Sequence, residues 1–71
     1  MMQPGDLVFH IEDAKDYENP PPGLITEVYK IGDQSEAIVY FSDREFGEYH
    51  LIENLIYVDS WLYYKDPVPM F

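Results

Sequence analysis

The chain contains no cysteine, only four glycines, and only four Lys and Arg residues against fourteen Asp and Glu. Without thiols there are no disulfides, no thiolate zinc sites and no cysteine nucleophiles. The basic residues Lys15, Lys30, Arg44 and Lys65 are scattered, and each has an acidic residue nearby. No basic stripe can be drawn, so direct DNA or RNA binding is not expected, because it depends on neutralising phosphates. Anionic membrane surfaces are disfavoured for the same reason. No apolar run approaches the ~20 residues that span a bilayer. The start, MMQPGDLVFH, has neither a basic n-region nor a long apolar h-region, so no secretory signal is expected and the cytoplasm is the expected compartment.

What is present is apolar and aromatic. Hydrophobic residues make up 46% and aromatics 17% of 71 residues, which is too rich for a disordered chain even at a net charge of −10. The length suits one small domain. The negative charge favours a basic protein partner, since opposite fields speed encounter. It serves equally to keep an aromatic-rich surface soluble.

Pro4-Gly5-Asp6 is turn chemistry, and Leu7 to Ile11 is β-branched and aromatic enough for one short strand. Residues 12–23, EDAKDYENPPPG, read as a loop with a polyproline stretch, because Pro20, Pro21 and Pro22 cannot donate to a ladder. Gly23 opens a second strand, Leu24 to Ile31. Neither of its faces is cleanly apolar, which predicts a bulge inside it. After the turn Gly32-Asp33-Gln34-Ser35 comes the clearest strand, Glu36 to Ser42. Ala37, Val39 and Phe41 should point inward, with Ile38 and Tyr40 outward. A tight turn at residues 42–45 leads to a fourth strand, Phe46 to His50, in which Gly47 permits a bend or a close backbone approach. Leu51 to Leu55 suits one 3₁₀ turn, and Ile56 to Asp59 a short closing strand. From Ser60 to Phe71 the chain is apolar but carries Pro67 and Pro69, so an irregular aromatic tail is expected.

Five short antiparallel strands bury one face only by curving into a small barrel. The expected fold is therefore all-β: a five-stranded barrel over residues 1–59, a 3₁₀ turn before the last strand, and a tail over 60–71 that packs on the barrel or on a partner.

The order Gly5-Asp6-Leu7-Val8, Gly23-Leu24-Ile25-Thr26-Glu27-Val28, Ala37-Ile38-Val39-Tyr40-Phe41-Ser42-Asp43 and Tyr49-His50…Asn54-Leu55 resembles SH3-like barrels of the Tudor and KOW kind. It matches their GD-x-V first strand, G-x-V/I-x-x-V second strand, V-x-F/W-x-D hairpin and x-x-L turn over about residues 4 to 59. It is also similar to small SH3-like proteins of large tailed phages, cyanophages among them. The resemblance implies a fold and a viral origin and carries no assigned chemistry. The tail from Trp61 onward departs from it.

Candidate sites follow from residue types. Asp13, Asp16 and Glu18 in the first loop, and Asp43 and Glu45 in the hairpin, are carboxylates, but general acid–base work needs a shaped cavity that so small a domain lacks. His10 and His50 lack metal-ligand spacing and read as structural side chains, so no metal and no cofactor are expected. Ser35, Ser42 and Ser60 have no nucleophile-elbow pattern. Aromatic surface is the stronger lead. Tyr17, Tyr40, Phe46 and Tyr49 can cluster at one rim beside Asp43 and Glu48, either as a surface for cations or as ordinary packing. In the tail, Trp61, Tyr63 and Tyr64 either cover the barrel or anchor a partner or a second copy of the chain. The expectation is a non-enzymatic acidic module, a viral accessory protein that uses these nine residues to dock a basic protein surface in the host cytoplasm. The alternatives are a nucleic-acid-mimicking acidic inhibitor of a DNA- or RNA-binding protein, and a minor structural component of a virion.

Overall fold

The computed structural model describes residues 1–16 and 18–65, with only the backbone of 62–65. Its elements are β1 (Leu7–His10), α1 (Ile11–Asp16), β2 (Gly23–Ile31), β3 (Gln34–Phe41), β4 (Glu48–Leu51), a 3₁₀ turn (Ile52–Asn54), β5 (Leu55–Tyr57) and α2 (Val58–Lys65). The strands form one antiparallel sheet in the order β4-β3-β2-β1-β5. The last strand returns beside the first, but β4 and β5 lie at opposite edges, so the sheet is open where the expected barrel would close.

The turns carry the residues their geometry demands. Gly5 has φ +99° in the Pro4-Gly5 turn, and Asp6 N–H closes that turn on the Gln3 carbonyl at 3.1 Å. Gly32 has φ +61° at the first central position of the β2–β3 hairpin, where Ile31 pairs Gln34. Glycine first is the arrangement of a type II′ turn, whose twist suits a two-residue hairpin.

The bulge expected in β2 sits at Thr26. Ile25 pairs Val39, whereas Glu27 pairs Ile38, so one residue is inserted between them. Ile25 and Val28, three apart, would otherwise lie on opposite faces. With the insertion Val28 stands opposite Ala37, and both join the inner face. The Thr26 hydroxyl donates to the Ile38 carbonyl at 3.4 Å across the irregularity.

That inner face is the core: Val8, Ile25, Ala37, Val39, Phe41 and Leu55, flanked by Met2, Val28, Ile52 and Tyr57. Ala37, Val39 and Phe41 point inward as the alternation of β3 predicts, and among the described residues no polar or charged residue is buried. Gly23 lies under this core. A Cβ there would stand 2.4 Å from Val39 Cγ1 and 2.8 Å from the Phe41 ring, so a side chain is excluded.

Three segments differ from the sequence reading. Residues 11–16 are helical rather than looped. Glu12 and Asp13 in the first turn and Lys15 in the last oppose the helix dipole favourably, and the prolines only bar its continuation past residue 19. The chain from Val58 to Lys65 is helical as well, so the closing strand stops at Tyr57 and the tail begins regular. Its prolines, Pro67 and Pro69, come after these helical positions in the sequence and so do not exclude them. Finally, β4 begins at Glu48, leaving Phe46 and Gly47 outside the ladder.

The two helices meet through Trp61. Its ring packs edge-to-face on Phe9 with centroids 5.0 Å apart, and its indole N–H donates to the Ala14 carbonyl at 3.1 Å. That carbonyl is one of the orphan acceptors at the end of α1. A helix of six residues has little stability alone, so this contact holds it in place.

The strictest packing requirement is at Gly23. Gly23→Ala should lower the unfolding free energy by about 1–3 kcal/mol through overpacking, read as a reduced urea midpoint with an unchanged slope.

Candidate functional site

The register sorts every strand residue to one face or the other. Leu24 opposes both Leu7 and Tyr40; Ile38 opposes both Glu27 and Tyr49; Tyr29 opposes Glu36; Ile31 opposes Gln34. All of these lie on the face away from the core. Phe9 and Ile56 pair on the same side, and there Trp61 of α2 covers Phe9. The remainder, across β2, β3 and β4, is bare.

Its exposed side chains are large. Tyr40 is 50% and Tyr49 66% exposed, with Leu7, Leu24, Tyr29 and Ile31 also open to solvent. Phe46, 77% exposed, stands in the loop just before Gly47. The Tyr40 ring lies over Gly47: a Cβ at that glycine would meet Tyr40 Cζ at 2.8 Å and Ile38 Cγ2 at 3.0 Å. Gly47 thus provides the close approach its position in the sequence allows. Tyr49 tilts toward Tyr29, with centroids 6.4 Å apart. The Tyr29 hydroxyl donates to the Glu27 carboxylate. That hydrogen bond, followed by partial burial and the negative charge of Glu27, pushes the Tyr29 phenol above its ordinary value.

The two acids expected beside these rings serve a different cluster. Arg44 stacks over Phe41, 4.7 Å from its centroid, and reaches Asp43 at 3.5 Å, Asp13 of α1 at 3.6 Å, and Glu48. Asp13 Oδ2 is buried and has this guanidinium as its near cation. Glu48 also bonds His50 Nε2 at 2.8 Å. His50 stands edge-on to Phe41 at 5.5 Å and to His10 at 4.9 Å. His10 Nδ1 accepts the Glu12 N–H at 3.1 Å, at the start of α1. The hydrogen bond from His50 holds the Glu48 carboxyl below the usual carboxylate range; partial burial opposes this, and the Arg44 hydrogen bond and charge add to it. This network ties α1 to β4 and to the loop before it. Among the described residues, no three His, Cys, Asp or Glu groups converge as a metal site requires.

Of the nine residues named from the sequence, Tyr40 and Tyr49 share the outer face, and Phe46 stands exposed in the loop before β4. Asp43 and Glu48 are engaged by Arg44. Trp61 is only 8% exposed and packs inside the molecule, so it offers little surface as a partner anchor. Tyr17 and the side chains of Tyr63 and Tyr64 lie outside the described residues. Sequence reasoning missed Leu7, Leu24, Tyr29 and Ile31. The unclean faces of β2 signalled a bulge, but the position of the bulge decides which residues turn outward.

A shallow cleft of about 450 Å³ between the β1 entrance and the start of α2 is lined by Asp6, Tyr57, Asp59 and Ser60 among others. The Asp6 carboxylate there already accepts the Gln3 N–H at 2.9 Å. Among the described residues, no helix is long and apolar enough to cross a membrane. Comparison with family models, curated proteins and solved structures gives no match.

The lowered Glu48 carboxyl makes a signed prediction. A folded-state value below the unfolded one contributes stability above the usual carboxylate range, and that contribution is lost as pH falls through the lowered value. Acidification also relieves the repulsion of a chain at −10, which acts in the opposite direction. The difference in urea midpoint between the native chain and Glu48→Gln is therefore the measure: it should be largest near neutrality and shrink as pH falls through the lowered carboxyl value.

Proposed function

We propose that the chain is a non-enzymatic acidic binding module, an SH3-like barrel left open along one seam, that docks a basic protein surface through the outer face of β2, β3 and β4. The return of β5 beside β1 supports the barrel kinship. A viral accessory role in the host cytoplasm is the setting that the sequence resemblance suggests.

One observation carries the binding reading. Among the described residues, and apart from Met1, the exposed large apolar side chains lie on this face or, as Phe46 does, in the loop beside it. Single exposed apolar residues are ordinary on a protein surface, but a contiguous band of them marks an interaction surface. Tyrosine suits the role, offering wide contact area and a polar tip. The charge of −10 selects the sign of the partner.

Titration with a basic peptide carrying leucines, against an acidic peptide of equal leucine content, tests this reading. The basic peptide should bind, and Tyr40→Ala combined with Tyr49→Ala should weaken it by about tenfold or more, as truncated aromatic anchors do. The affinity should fall gently with salt. Equal binding of both peptides removes the basic-partner reading, and a steep salt dependence indifferent to the two tyrosines favours the nucleic-acid mimic instead.

A further inference from the structure

We propose that the partner enters as an extended strand along the free edge of β4, making a sixth strand whose side chains alternate between basic and apolar. This rests on the outer face being a docking surface and adds how the partner is read.

The edge is available. β4 pairs with β3 on one side only, from Glu36↔Leu51 to Val39↔Glu48. Alternate residues of an antiparallel edge strand turn their N–H and C=O groups outward. Among the described residues, the backbone hydrogen bonds outside the regular elements involve none of Glu48–Leu51. Natural edges are usually blunted by Pro, by Lys or by a covering helix. The sequence EYHL has no Pro and no Lys, and its one carboxylate is held by Arg44 and His50. At the opposite edge β5 has three residues and its following helix, α2, packs back over β1 through Trp61.

The two sides of that edge are chemically unlike. Tyr49 and Leu51 face outward with the bare aromatic band. Glu48 and His50 face the other way, where Glu48 stands with Asp43 and Asp13 around a single guanidinium. Three carboxylates against one cation leave net negative charge. Successive side chains of an added strand also fall on opposite faces. One set therefore meets Tyr49 and its neighbours and is apolar; the other meets the acidic cluster and is basic. A second copy of this chain fits poorly, since each would bring a charge of −10 to the seam.

Three synthetic peptides with the same number of Lys and Val residues test the idea: strictly alternating Lys and Val, the same residues in two blocks, and the alternating peptide N-methylated at every residue. Affinity is read by fluorescence anisotropy at low salt, and amide hydrogen exchange is followed at residues 48–51. The alternating peptide should bind about tenfold or more tightly than the block peptide, an amount well within the energy of strand pairing with matched side chains. N-methylation should abolish that gain, and exchange should slow at β4. If all three bind equally and all lose affinity in the variant with Tyr40→Ala and Tyr49→Ala, edge pairing is overturned while the docking face stands. If none binds, both readings fall. If sedimentation shows a dimer with β4 amides protected in the free protein, the occupant is a second copy and the proposal is overturned.

Discussion

A five-stranded sheet has two faces, and a chain of this length supplies material to bury only one of them. The inserted residue at Thr26 decides which side chains go where. It brings Ile25 and Val28 onto the side of Ala37 and Val39, and by the same shift sends Tyr29 and Ile31 to the other side with Leu24 and Tyr40. Core and exposed band are thus two results of one irregularity. Moving the bulge by one position would exchange them locally and leave the inner face short of apolar cover.

The outer face is finished only in part. Trp61 closes it over β1 through Phe9, and in doing so provides a donor for an orphan carbonyl at the end of α1. The two helices and the β1–β5 edge therefore behave as one packed unit. Arg44 works similarly on the opposite face, joining α1, β4 and the loop that precedes it through carboxylates around one guanidinium stacked on Phe41. Between these two fasteners the sheet from β2 to β4 stays open on its outer side. Much of the acidic surplus nearby is structural, and the aromatic band is the part not consumed by folding.

How much of this is legible in the sequence depends on the range of the interaction responsible. The alternation of β3 is legible because burial of Ala37, Val39 and Phe41 follows from a local two-residue period. The turns at Gly5 and Gly32 are legible because the backbone there requires positive φ. The bulge in β2 shows as a conflict between faces, but its position depends on pairing with β3. The helix α1 is not legible: six residues are too few for a helical period, and its support comes from a tryptophan 47 positions away. The helical start of the tail is hidden by prolines that follow it. Asp43 and Glu48 neighbour aromatic residues in sequence, which suggests the aromatic rim; in space a single arginine engages both.

Gly47 has a consequence for how Tyr40 behaves on encounter. The phenol ring rests on bare backbone, hemmed by that glycine below and by Ile38 beside it. That seat narrows the orientations the ring can take. Ordering a mobile side chain on association takes about 0.5–1.5 kcal/mol. A ring seated against backbone has fewer orientations open to it than one standing free, so part of that cost is met when the sheet forms.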